Sequence, residues 1–246
     1  MKIFYSQQGE DVYVFQRFIN RPCPDGIFVE LGAMDGVLYS NTKFFEDELQ
    51  MRGTLIEPTK EYHRLIQYRP NCHCYQVAVS YQPGPVRFLG EHATAGLVET
   101  MSENFRRNWH PSPREYIVHG EPFSSILAKS NITYIDFLSI DVEGGEEVVL
   151  STMDFAIPVY VICIELDEHN PIKDDRCRQR LRENGFVFDR RIAINEFWVN
   201  PQYSRKSLLY DETIPKLSFV HSIDELGHFP FLERHVRPEV EEALRT

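Results

Sequence analysis

One short run of residues restricts this chain more than any other. Residues 26–31, Gly-Ile-Phe-Val-Glu-Leu, read as a buried strand, and they lead without a spacer into Gly32-Ala33-Met34-Asp35-Gly36. An apolar run of that length suits a strand covered on both faces, as in a parallel sheet with helices on each side. The two glycines let the backbone turn at the strand's carboxyl end and pass close to a ligand. Short apolar runs then alternate with amphipathic stretches along the chain, which is the mark of parallel α/β units.

That alternation predicts seven core strands. After 26–31, Ser40-Asn41-Thr42 supplies capping chemistry for a helix through about residue 51, and Gly53 is read as its stop. A second strand, 54–56, ends at Glu57-Pro58; a helix covers about 60–68, and 74–79 is the third strand. Strands at 136–141 and 159–164 follow, separated by a helix after Glu143-Gly144-Gly145. A helix over 174–184 is closed by Gly185, and 186–188 with 196–199 make a closing antiparallel pair.

Two segments stand outside the pattern. Residues 80–123 carry a strand near 86–89, a helix near 99–109 and a Pro-rich turn at 110–113; an insertion of ~40 residues in a compact domain is more often functional than idle. We assign it to the acceptor side of a site in a domain spanning 1–200. Residues 201–246 lack a sheet pattern, and their aromatics (Tyr203, Tyr210, Phe219, Phe229, Phe231) suit a tail packed on the domain or on a partner subunit, a route to a homo-oligomer.

Composition narrows the partners. A net charge of −11 disfavours a nucleic-acid surface, and Arg176, Arg178, Arg180 and Arg182 spread around a helix as a solvated face. Five cysteines with no CxxC spacing argue against a disulfide framework and for a reducing, cytoplasmic compartment. Cys72-His73-Cys74 reads as edge-strand cysteines rather than half of a zinc site, since no second ligand pair follows. Glu10 and Asp11 sit too early for a signal peptide, and no apolar run approaches the ~20 residues of a membrane span.

In an open parallel sheet, ligands gather at the carboxyl ends of the strands. Three loops there are distinctive: Glu30 to Gly36, Glu57 at the end of the next strand, and Asp141-Val142-Glu143-Gly144. An acid about 20 residues beyond a Gly-rich turn can accept hydrogen bonds from ribose hydroxyls. A nicotinamide dinucleotide would want GxGxxG, whose middle glycine makes room for pyrophosphate. Here that glycine is missing and Asp35 is present; a carboxylate repels pyrophosphate but suits a cationic sulfonium and amino group. The loops therefore point to S-adenosylmethionine.

With these residues in view, a family resemblance emerges. Ser6-Gln7-Gln8-Gly9-Glu10-Asp11, Phe28 to Gly36 with Ser40-Asn41-Thr42, Leu55-Ile56-Glu57-Pro58 and Ile135 to Gly144 resemble the FkbM-type methyltransferases over roughly residues 5–200. The resemblance implies a class I methyltransferase fold, a Rossmann-like α/β sheet of seven strands ordered 3-2-1-4-5-7-6. It implies that Gly32 and its neighbours lie under the methionine part of the cofactor, and Glu30, Ala33, Asp35, Gly36, Ser40, Asn41 and Asp141 are further expected cofactor-binding residues. Glu57 would lie on the ribose and Ala78-Val79-Ser80 beside the adenine. Met34 stands where many methyltransferases have glycine. Members of the family act chiefly on hydroxyl groups of sugars and other small molecules.

Methyl transfer to an alcohol needs a base, or a metal that acidifies the bound hydroxyl. Glu165-Leu166-Asp167-Glu168-His169-Asn170, beyond the fifth strand, is a dense group of candidates. Asp141, Glu143 and His169 are the expected catalytic residues, with His169 as base; Asp141, Glu165 and Asp167 are the expected ligands of a Mg²⁺ ion. A sugar hydroxyl on a glycan or glycosylated metabolite is the expected acceptor, with Trp109, His110, Arg106 and Arg107 offered by the insertion. A polyketide or lipid-like alcohol is the alternative, as is a non-catalytic S-adenosylmethionine-binding module.

Overall fold

The computed structural model describes residues 2–112 and 114–216. Along them run α1 (Glu10–Arg17), β1 (Ile27–Leu31), α2 (Lys43–Leu49), β2 (Arg52–Ile56), α3 (Tyr62–Tyr68), β3 (His73–Tyr75), β4 (Ala78–Val79), β5 (Gly84–Leu89) and β6 (Gly96–Leu97). They continue with α4 (Glu103–Trp109), β7 (Glu115–Glu121), α5 (Phe123–Lys129), β8 (Ile135–Ile140), α6 (Glu146–Thr152), β9 (Val159–Glu165), α7 (Pro171–Glu183), β10 (Val187–Ile192), β11 (Asn195–Val199) and α8 (Lys206–Leu209).

Seven strands form one sheet in the order β10-β11-β9-β8-β1-β2-β3, in which only β11 runs against the rest. Numbered in chain order, the seven give 3-2-1-4-5-7-6, the expected arrangement. Successive residues of β1 and β8 point to opposite faces. Phe28 and Phe137 join Phe44, Phe45 and Tyr160 in one core; Val29 and Leu138 join Ile126, Val149 and Leu181 in the other. Two buried faces are why these strands read as unbroken apolar runs.

The structure corrects the third strand. Pairing of β3 with β2 ends at Tyr75 opposite Ile56, the last residue of β2. The chain then leaves, and Ala78–Val79 joins a second, four-stranded sheet of order β4-β7-β5-β6. That sheet is what residues 80–123 build; β7 was not predicted, although Tyr116 and Val118 alternate inward to pack with Ala78, Phe88 and Leu97. Helices α1 and α5 also escaped the sequence reading, and α4 begins at Glu103 rather than near 99. Gly53 is not the stop of α2: Gln50, at φ 60°, ends it. Gly53 instead pairs with Phe28, where a Cβ would lie 2.0 Å from the Phe28 ring.

Residues 201–216 pack on the domain. Tyr203 is buried, stacks on Tyr160 at 5.2 Å and donates to Asp136 Oδ1 at 2.6 Å. The Leu209 carbonyl accepts from Asn20 and Arg21 N. The remainder of the tail, with Phe219, Phe229 and Phe231, lies outside the described residues, and with it any role in subunit contact. No helix among the described residues is long and apolar enough to cross a membrane. The α7 arginines meet acids and a ring: Arg178 bonds Glu196 and Asp175, Arg176 faces Glu147, and Arg182 lies over Trp198.

Candidate active site

A cavity of about 380 Å³ opens at the carboxyl ends of β1, β2, β8 and β9, with the second sheet as one wall. At its β2 end stands Glu57, buried, whose Oε2 accepts from Met34 N at 2.9 Å and Oε1 from Thr59 N at 2.7 Å. Burial raises its carboxyl above the usual range. Each carboxylate oxygen keeps a further lone pair, so Glu57 can still accept from a diol. Met34 sits at φ 47°, a left-handed conformation that glycine takes without penalty. Ala78 and Val79 line the cavity with Val77, Phe88 and Leu97, and Ala78, Phe88 and Leu97 pack together.

The loop after β1 is braced from behind. Glu30 is buried and accepts from Asn41 N at 2.7 Å, Thr42 Oγ1 at 2.7 Å and Ser40 Oγ at 2.9 Å. Arg69, fully buried, donates to the Gly36 carbonyl at 2.9 Å and to Ser40 and Thr42 hydroxyls, and pairs with Glu46. Asp35 Oδ1 accepts from Val37 N and Leu38 N at 2.9 and 2.8 Å.

At the centre, Asp141, Glu143 and Glu165 bring oxygens within 4.8 Å of one another. Burial raises all three carboxyls, and neighbouring acids add to it: Glu146 and Asp167 at Asp141, and Asp141 at both Glu165 and Glu143, the last taken to about 9. Such a set either shares protons or wants a cation. Glu146 holds the loop beneath it, accepting from Gly144 N at 3.1 Å and Val142 N at 3.4 Å. Lys173 reaches Glu146 Oε2 at 2.5 Å and Asp174 Oδ1 at 3.2 Å. The second sheet abuts the same loop, for a Cβ on Gly96 would lie 2.9 Å from the Glu143 carbonyl oxygen.

At the β9 end, Asp167 Oδ2 lies 2.7 Å from His169 Nδ1, and the His169 ring meets Phe105 edge-on at 5.7 Å. A carboxylate accepting the Nδ1 proton leaves Nε2 as the basic nitrogen. Phe105 comes from α4, as does Trp109, which lines the cavity at 58% exposure.

Of the residues singled out from the sequence, Glu30, Gly32, Asn41, Glu57, Ala78, Val79, Asp141, Glu143, Glu165, Asp167 and His169 line this one cavity. Ala33, Asp35, Gly36, Ser40 and Ser80 do not. Asp35 is turned to its own loop's amides, Ser40 to Glu30, and Ser80 to the Gln82 carbonyl, so they shape the wall from behind. Asp167 is taken up by His169, and the carboxylate cluster holds Glu143 in its place. Arg106, Arg107 and His110 lie off the cavity; His110 faces the Thr94 carbonyl. Sequence reasoning missed Gln7, Gln8, Phe105 and Ile194 as lining residues. Pairing of distant segments places them there, and local pattern carries no signal for that.

Similar solved structures include Aeropyrum pernix fibrillarin with natively bound S-adenosyl-L-methionine, 12% identical, covering 77% of this chain and 76% of that one, TM-score 0.40. Others are a fibrillarin/Nop5p complex (12% identical, 80% and 85% covered, TM-score 0.41) and precorrin-6y C5,15-methyltransferase from Geobacter metallireducens (9%, 80% and 89%, TM-score 0.37). No curated protein matches the chain. Residues 30–188, more than half of the chain, match the model of the methyltransferase FkbM domain. The stretch runs from the Glu30 brace through the acidic loops, and with the sheet order it settles the class: the chain belongs to the FkbM family of S-adenosylmethionine-dependent methyltransferases.

Proposed function

We propose that this methyltransferase acts on a hydroxyl group, most suitably one of a sugar in a glycan or glycosylated metabolite. One observation carries the reading: the cavity runs from Glu57 past the carboxylate cluster to the Asp167–His169 pair, with Trp109 beside it. Glu57 holds the ribose, Ala78 and Val79 flank the adenine, and Gly32 with Asn41 and Asp141 borders the methionine part. His169 Nε2 takes the hydroxyl proton as the oxygen bonds to the methyl carbon and the carbon–sulfur bond breaks. Asp167 steadies the imidazolium so formed.

Asp141, Glu143 and Glu165 fit a hard divalent cation, since three oxygen donors with raised proton affinity are what Mg²⁺ replaces protons on. When bound, such an ion would acidify the acceptor hydroxyl, lowering its pKa. The apolar wall of Leu97, Phe105 and Ile194 favours a second reading, a bulkier polyketide or lipid-like alcohol. Five free cysteines accord with the reducing cytoplasm as its place of work.

The test supplies methyl-labelled S-adenosylmethionine and a panel of methyl glycosides and apolar alcohols, with EDTA or with Mg²⁺. Labelled ether on a glycoside, lost with EDTA and restored by Mg²⁺, is expected. His169→Ala should lower kcat by about 10²–10⁴-fold. Full turnover in EDTA would remove the metal; kcat within a few-fold of wild type in His169→Ala would remove the base.

A further inference from the structure

The motif Ser6-Gln7-Gln8-Gly9-Glu10-Asp11 carries part of the family resemblance, yet no step above uses it. Its two acids are buried. Asp11 accepts from Tyr5 N at 2.7 Å, Ser6 N at 3.2 Å and Ser6 Oγ at 2.5 Å. Glu10 accepts from Gln8 N at 2.8 Å and from Asn195 Nδ2 at 2.6 Å. Neither forms a salt bridge among the described residues. Buried carboxylates without a cation cost stability, and here both hold residues 5–8 in one place.

That place is the rim of the cavity. Ser6 bridges to Tyr39, and Asn195 follows Ile194, whose carbonyl accepts from Leu166 N at 2.9 Å. Residues 6–8 are therefore anchored both to the loop after β1 and to the segment leaving β9, and Gln7 and Gln8 line the cavity. The sheet order puts Glu165 and Asn195 on one side of Asp141 and Glu57 on the other. Gln8 thus stands at the end remote from Glu57. Its Oε1 faces Asn195 Nδ2 at 3.5 Å, while its Nε2 and the exposed Gln7 carboxamide have no protein partner among the described residues.

We infer that Gln7 and Gln8 bind the methyl acceptor, their carboxamides holding hydroxyls next to the one presented to His169. A carboxamide both donates and accepts, as a hydroxyl does, so a pair of them suits a polyol. The inference rests on the acceptor reading given above.

The test compares wild type with Gln7→Ala and Gln8→Leu in two measurements. S-adenosylhomocysteine affinity is taken by calorimetry, and labelled methyl transfer is measured over the same panel of methyl glycosides and apolar alcohols. The expected result is an unchanged S-adenosylhomocysteine Kd and an acceptor KM raised about tenfold in each variant, the loss of one hydrogen bond. If Gln8→Leu fails to fold, the exposed Gln7→Ala still decides. Equal transfer by wild type and variants would overturn this inference alone, as would an S-adenosylhomocysteine Kd weakened by about tenfold, which would assign the rim to the cofactor. No label in any alcohol with wild type would sink the acceptor reading and this inference with it.

Discussion

Gly32 and Asp141 meet backbone to backbone: a Cβ on Gly32 would lie 1.9 Å from the Asp141 carbonyl oxygen. The contact joins the ends of β1 and β8, where the Gly32–Gly36 loop and the acidic loop begin, and Gly32 sits at φ +78° besides. Gly32→Ala therefore forces the two loops apart. Overpacking and a left-handed Ala each cost about 1–3 kcal/mol. We expect a melting temperature lower by about 5–10 °C and S-adenosylhomocysteine binding weakened by about tenfold or more. A variant with wild-type melting and affinity would show that the strand ends need no such approach.

Arg69 is a buried cation with two acids, Glu30 and Glu46, and the Gly36 carbonyl around it. Arg69→Met leaves Glu30 buried without its counter-charge, which costs about 3–5 kcal/mol. Denaturant unfolding should show that loss, and the loop 36–42 should become the first site of proteolysis. An unfolding midpoint equal to wild type would count against the brace.

Glu10 gives the apo protein a pH dependence. Burial raises its carboxyl from the usual 4.5 to about 7, so the folded state keeps a proton that the unfolded chain has released. Its contribution is present in full below about 4.5 and is lost as pH rises through about 7. Melting curves should fall more between pH 5 and 8 for wild type than for Glu10→Gln. Parallel curves would refute the assignment.

Lys173 ties the two acidic loops together. Glu146 carries the amides of Val142 and Gly144, Asp174 Oδ2 accepts from Glu168 N at 2.9 Å, and Lys173 lies between the two acids. Lys173→Met should lose about 3–5 kcal/mol by leaving both unpaired, while Lys173→Arg keeps the charge and should recover most of it. Chemical denaturation of the two variants side by side decides; equal losses would mean that bulk, not charge, matters there.

Much of this architecture was legible before the fold. Strands β1, β8 and β9 are buried on both faces, so hydrophobicity alone marks them, and Glu57, Asp141 and His169 stand where such strands end. The sequence determined the seven-stranded class, the glycine loop after β1 and the acids, because each rests on local pattern or on a strand terminus. Only the tertiary structure decided which acids meet. Glu143 joins Asp141 and Glu165 because its loop takes a left-handed turn at φ 50°, while Asp167 turns to His169. The second sheet likewise depends on β4 and β5 both pairing with β7, and α1 on buried carboxylates that a sequence would read as solvent-facing. Even the glycine loop after β1 changed meaning: Gly32 is required by Asp141, more than a hundred residues away, through a backbone contact that no local pattern records.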